Sequence, residues 1–213
     1  MSKGKAAQQD VNNATDNDLN IKVAGRKIEA IVIGASAGGI KALLHLLGAL
    51  PVNFPVPVII VIHMPSTRES RLADVFQHHM AIKVTMAQDK DHIRAGQVYF
   101  AGPGYHLSIE RDRSFSISCE EPIHYSRPSI DFLMLSAADT YGAALAGILL
   151  TGANQDGAEG MQRIHEVGGL TVIQDPVEAE MAIMPQSALN LFTPDFMLPL
   201  QDIQKLIFNL EID

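Results

Sequence analysis

The sequence holds a single cysteine, Cys119, in 213 residues. One thiol excludes an internal disulfide and any cysteine-rich zinc site, and it points to a reducing compartment, so a cytoplasmic location is expected. Basic residues are scarce: sixteen Lys and Arg against twenty-four Asp and Glu give a formal net charge of -8. The positive footprint of a phosphate-backbone binder is missing, and nucleic acid is not an expected partner. Long apolar runs are missing too. The most apolar stretch, residues 141–150, is about half the roughly 20 residues a spanning helix needs, and the polar first 13 residues have no signal-peptide core. Neither membrane insertion nor secretion by a recognisable signal is expected. No H-x-x-x-H or H-E-x-x-H spacing occurs, and the adjacent His78 and His79 point to different helix faces, so no metal site is expected.

What is present is 47% hydrophobic residues, enough for one sizeable core. Residues 1–27 are polar, with five basic and three acidic side chains, and are expected to form a flexible tail. Residues 28–213, with eleven basic and twenty-one acidic, are expected to form the single folded domain. Its apolar pattern alternates short runs with helical spacings. Residues 28–33 (IEAIVI) read as a strand that ends in Gly34-Ala35-Ser36-Ala37-Gly38-Gly39, after which Ile40, Leu43, Leu44 and Leu47 recur at helix spacing. Residues 58–62 (VIIVI) give a second strand, residues 70–80 a surface helix and residues 81–86 a further strand. Between residues 89 and 119, glycines and a proline separate the short runs 97–100, 106–109 and 115–118, which reads as an antiparallel hairpin insert. Helices at 129–139 and 157–167, strands at 143–150 and 170–173, and helices near 186–191 and 202–210 complete the pattern. Strands apolar on both faces and alternating with helices predict an α/β fold with a doubly wound parallel sheet.

In such a sheet functional groups gather beyond the carboxyl ends of the strands, where the strand order reverses. Three polar residues fall there: Ser36 after the first strand, His63 after the second, and Asp156 in the loop after the strand ending at Leu150. A serine hydroxyl becomes a nucleophile when a base takes its proton, and a carboxylate behind the base fixes its tautomer. Gly34-Ala35-Ser36-Ala37-Gly38 matches G-x-S-x-G, the pattern of a nucleophile on a sharp turn. The same turn is also compatible with a Rossmann-type nucleotide site, or with Ser36 capping its helix. Against a nucleotide stand Ser36 at the second glycine position and His63 where a ribose-binding acid would lie. Asp156 has two readings from pattern alone, a catalytic acid or the first residue of a capping box with Glu159. Asp175, after the strand at 170–173, is the rival acid, though Pro176 beside it suggests an ordinary turn.

GASAGG around Ser36, HMP at 63–65, SRPSID at 126–131, LTGANQDGAEG at 150–160 and MP at 184–185 together resemble the catalytic domain of chemotaxis protein-glutamate methylesterases, the CheB family. The resemblance runs from about residue 28 to the C-terminus. It implies a serine nucleophile at Ser36, a histidine base at His63 and an aspartate at Asp156, with no cofactor. It further implies hydrolysis of glutamate γ-methyl esters on the cytoplasmic part of methyl-accepting chemoreceptors, deamidation of receptor glutamines, and a place in chemotactic phosphorelay signalling. Family members usually carry an N-terminal receiver domain, and the 27 residues before the first strand are too few for one. The family usually has threonine at Ala37 and Met-Gly at Ala153-Asn154. These departures leave open a catalytically degraded regulatory domain on the same fold.

Overall fold

The computed structural model describes residues 25–64 and 72–210. Residues 1–24 of the expected tail lie outside the described residues, and Arg26 Nη2 donates to Asp195 Oδ1 at 2.8 Å. Among the described residues, nine strands alternate with six α-helices. The strands are β1 (Ala30–Ala35), β2 (Val58–Ile62), β3 (Lys83–Met86), β4 (Gln97–Phe100), β5 (His106–Ile109), β6 (Phe115–Ser118), β7 (Leu145–Leu149), β8 (Leu170–Gln174) and β9 (Phe196–Leu198). The helices are α1 (Gly39–Leu47), α2 (Leu72–His79), α3 (Ile130–Tyr141), α4 (Ala158–Glu166), α5 (Ile183–Leu189) and α6 (Leu200–Asn209).

Seven strands form one sheet in the order β3-β4-β2-β1-β7-β8-β9, with every neighbouring pair parallel. Parallel strands need helices on both faces, and the side chains of β1 divide accordingly. Ile31, Ile33 and Ala35 join Leu43, Phe76 and Ile207 of α1, α2 and α6 on one face. Ala30 and Val32 join Leu133, Ile164 and Met184 of α3, α4 and α5 on the other, together with Leu107 and Phe115 of the hairpin. The fold is the expected doubly wound α/β sheet.

The insert is smaller than the sequence suggested. Of these nine strands only β5 and β6 pair antiparallel, whereas β4 lies in the main sheet between β3 and β2. Val98, Tyr99 and Phe100 are all buried, as suits a strand covered on both faces rather than a half-exposed hairpin arm. The short edge strand β9 was not foreseen.

Because β1 is flanked by β2 on one side and β7 on the other, the strand order reverses beside it. The crevice at their carboxyl ends is where an α/β fold places its site. Two glycines let α3 reach that crevice. A Cβ on Gly34 would meet Ile130 Cγ2 at 2.3 Å, and one on Gly157, at φ +94°, would meet the same atom at 2.8 Å. Ile130 therefore seats the first turn of α3 against the ends of β1 and β7.

Candidate active site

Ser36 follows β1 on a turn held from the neighbouring strand. Its N–H donates to Thr151 O at 2.9 Å, while Thr151 Oγ1 donates to Ala37 O and accepts from Met181 N–H, both at 2.9 Å. The helix that begins after the turn has Gly38 as its N-cap, at φ +80°, with no side-chain cap. Ser36 thus does not cap α1. The N–H groups of Ala37 and Gly38 have no hydrogen-bond partner among the described residues, as is usual for donors at a helix start.

The nucleotide reading loses support at the same turn. A Cβ on Gly38 would lie 2.9 Å from Glu180 Cβ and 3.0 Å from Glu180 Oε2. A carboxylate packed there repels the pyrophosphate that such a turn would have to cradle.

His63 follows β2, and its N–H donates to Ala35 O at 3.1 Å, tying it to the strand that carries Ser36. Its Nε2 lies 2.8 Å from Asp156 Oδ2, with the His63 side chain 13% exposed and that of Asp156 fully buried. Ser36, Ala37, Leu44, His63 and Met64 line one cleft of about 500 Å³. A second cleft, of about 400 Å³, shares His63 and Met64 and is bounded by Tyr125 and Ser126. No hydrogen bond joins Ser36 Oγ to His63, whose Nδ1 instead has Ser126 Oγ at 3.5 Å. Such bonds tighten in complexes with substrate, so a shared cleft is the relevant geometry.

Asp156 does not cap its own helix. The N-cap of α4 is Gly157, with no side-chain cap bond. Instead the carboxylate sits at the N-terminus of α3. Oδ1 accepts from Ser129 Oγ at 2.8 Å and Asp131 N–H at 3.0 Å, and Oδ2 accepts from Ile130 N–H at 2.7 Å as well as from His63. Burial alone would raise its pKa; the hydrogen bond from His63 and those from the Asp131 and Ile130 amides outweigh burial and hold it below the usual carboxylate range. Asp156 is therefore an anion, an acceptor only, and His63 Nε2 must carry the proton in the bond between them. In the neutral tautomer that this bond selects, the lone pair is on Nδ1.

Asp131 shows the opposite behaviour. Its Oδ1 accepts from Gly160 N–H at 2.7 Å, but its buried Oδ2 has no hydrogen-bond partner among the described residues. His124 Nε2 lies 3.6 Å away. Burial, assisted by the negative charge of Asp156, pushes the Asp131 pKa up to about 7.

Asp175, the rival acid, is not brought to either residue. It forms the turn after β8, its Oδ1 accepting from Val177 N–H at 2.9 Å. Sequence reasoning missed the donors to Asp156, Ser129 Oγ and the amides of Ile130 and Asp131, although they lie in the SRPSID segment. It also missed the staple made by Thr151. Among the described residues no three His, Cys, Asp or Glu side chains are grouped to hold a metal ion, and no helix is long and apolar enough to cross a membrane.

Among solved structures, this architecture matches the catalytic domain of Thermotoga maritima CheB methylesterase. The match has a TM-score of 0.80 at 30% identity, and covers 85% of this chain and 98% of that one. The CheB methylesterase family profile matches residues 31–207, and the chain belongs to that family. A Leptospira interrogans protein is 45% identical over 183 residues, covering 86% of this chain and 95% of its own. Protein-glutamate methylesterase/protein-glutamine glutaminase of Trichodesmium erythraeum is 36% identical over 180 residues, 83% of this chain and 51% of that protein. The Carboxydothermus hydrogenoformans protein of the same description, numbered 1, is 36% identical over 194 residues, 89% of this chain and 57% of its own. The chain spans about half the length of these last two relatives.

Proposed function

We propose that this chain is a serine esterase that hydrolyses glutamate γ-methyl esters on the cytoplasmic region of methyl-accepting chemoreceptors, and that it acts in the cytoplasm. The observation that carries the proposal is the hydrogen bond between Asp156 and His63 Nε2, which leaves a basic Nδ1 on a residue sharing a cleft with Ser36. Membership of the CheB methylesterase family supports the substrate class.

In the first step Ser36 Oγ attacks the γ-carbonyl carbon as its proton passes to His63 Nδ1, and the imidazolium formed is stabilised by the Asp156 anion. The N–H group of Ala37, a donor without a partner among the described residues, is available to the developing oxyanion. Collapse breaks the carbonyl–methoxy bond, and the leaving oxygen takes the proton from Nδ1 to depart as methanol. Water then attacks the acyl-serine, giving one proton to the same nitrogen; the bond between the carbonyl carbon and Ser36 Oγ breaks, Oγ takes that proton back, and the γ-carboxylic acid leaves and ionises, its proton passing to solvent. With glutamine as substrate, ammonia leaves in place of methanol, which is receptor deamidation by the same route. No step calls on a cofactor.

The paired His63 and Asp156 favour this reading over a degraded regulatory domain, since a domain without turnover has no need of an oriented base. The test is release of labelled methanol from a receptor methylated with a labelled methyl group. Wild-type protein is expected to release it, and Ser36→Ala to release none while remaining folded. Turnover of a small methyl ester with no release from the receptor would overturn the substrate class. Release by Ser36→Ala would overturn the mechanism.

A further inference from the structure

The hydrogen bonds that hold Asp156 do not end at Ser129. Ser129 N–H donates to His106 Nδ1 at 3.2 Å, and His106 Nε2 lies 3.1 Å from the backbone oxygen of Glu121. A backbone N–H can only donate and a backbone carbonyl only accept, so both ring nitrogens have fixed roles. His106 is neutral, with its proton on Nε2. The ring is fully buried and packs on Phe132 of α3, their centroids 4.7 Å apart.

The placement of this ring matters because of what hangs from the backbone it grips. Ser129 Oγ and the amides of Ile130 and Asp131 supply three of the four donors to Asp156, and all three belong to the residue His106 holds or its two successors. His106 opens β5, so the hairpin is tied to Asp156 through one imidazole.

We propose that His106 is a positioning residue for the reaction: by fixing the backbone at Ser129 it aims the first turn of α3 at Asp156, and so sets the orientation of His63. This rests on the esterase reading above. The hairpin is then a buttress of the site as well as a cover for one face of the sheet. A displacement of about 1 Å remote from the reacting atoms costs about 100-fold in rate, which is the scale expected if the grip is lost.

Three substitutions separate this role from simple packing. His106→Leu fills similar space with neither polar group. His106→Gln offers a donor toward Glu121 O without an acceptor at the Nδ1 position. His106→Asn keeps an acceptor there, on the atom bonded to Cγ. The acceptor account expects kcat on a small methyl ester to fall about 10- to 100-fold in His106→Leu and His106→Gln, with KM within about twofold. His106→Asn is expected to recover to within about threefold of wild type. If His106→Leu fails to fold, the Asn and Gln variants, two amides of like polarity, still decide the matter. Equal losses in Asn and Gln, or a wild-type kcat in a folded Leu variant, would overturn the proposal.

A second readout does not depend on turnover. The ring 15N shifts of His63 report its Nε2–H tautomer, and they are expected to move in His106→Gln and stay in His106→Asn. Unmoved shifts in both variants would overturn the positioning role. Loss of all turnover in wild type, with these shifts behaving as expected, would instead mean that the esterase reading had failed.

Discussion

Asp156 engages His63 through Nε2, at 2.8 Å, which leaves Nδ1, with Ser126 Oγ 3.5 Å away, as the second ring nitrogen. In the Ser-His-Asp arrangement of chymotrypsin-type proteases the carboxylate takes Nδ1–H and Nε2 is the base. Here the carboxylate meets the other ring nitrogen. The three donors from residues 129–131 keep Asp156 an acceptor, so the His63 tautomer it selects carries its proton on Nε2.

Asp156→Asn tests that assignment. With its NH2 at the Oδ1 position the new amide clashes with the Asp131 N–H and displaces the group that orients His63; with its NH2 at the Oδ2 position it clashes with the Ile130 N–H and forces the His63 proton onto Nδ1. The first orientation misplaces the base and the second blocks it. A loss of about 10³- to 10⁴-fold in kcat is expected, while Asp175→Asn, outside the site, should retain wild-type turnover. Steady-state kinetics on a small methyl ester would show the difference, and an inactive Asp175→Asn with an active Asp156→Asn would reverse the assignment.

Asp131 predicts a pH-dependent stability. Its carboxyl keeps its proton up to about 7 in the folded state, against an ordinary aspartate value of 3.8. Between these values the native state binds more protons than the unfolded one, so stability falls as pH rises through the window. Asp131→Asn cannot ionise and keeps an oxygen for Gly160 N–H. The variant should therefore gain Tm over wild type at pH 8 and gain little at pH 4. Tenfold in proton affinity is about 1.4 kcal/mol, and each kcal/mol moves Tm by roughly 2–4 °C in a domain of this size. Parallel melts at the two pH values read it, and equal differences at both would contradict the raised pKa.

Gly34→Ala tests the approach of α3 to β1. The added methyl would overlap Ile130 Cγ2, 2.3 Å away, in a region closed by Leu149 as well. A destabilisation of about 1–3 kcal/mol is expected, with a loss of kcat greater than the stability change explains, because the displaced turn carries the donors to Asp156. Combining it with Ile130→Val should recover part of both, as calorimetry and kinetics would show.

Thr151→Val removes a hydroxyl that serves Ala37 O and Met181 N–H while keeping nearly the same shape. Two polar backbone groups lose their partner, for an expected cost of about 1–3 kcal/mol. Turnover should fall as well, since Ala37 lies next to Ser36 on the turn that Thr151 fastens. Thr151→Ser retains the hydroxyl and should stay near wild type in both measurements.

Strand-end placement made Ser36, His63 and Asp156 stand out in the sequence, because glycine turns and apolar runs are local signals. What holds Asp156 was not legible in the same way. Its acid-x-x-Glu neighbourhood read equally as a cap for the following helix or as a catalytic acid, whereas its donors come from a segment more than 20 residues upstream, brought close by Ile130 packing against Gly34 and Gly157. Long-range pairing also explains β4. Its run QVYF, between glycines, reads locally like the hairpin arms that follow it, and only its insertion between β3 and β2 shows otherwise. His106 was one of several histidines in the insert, and its role depends on two backbone groups, at 121 and 129, that no spacing rule connects to it.

The proposed mechanism requires that Ser36, rather than another hydroxyl near the base, become acylated. Ser126 is the competitor, its Oγ 3.5 Å from His63 Nδ1. Labelling with a fluorophosphonate, followed by digestion and mass spectrometry of the modified peptides, decides between them. The label is expected on Ser36, to depend on His63 and to persist in Ser126→Ala. A label on Ser126, abolished by Ser126→Ala and retained in Ser36→Ala, would contradict the account.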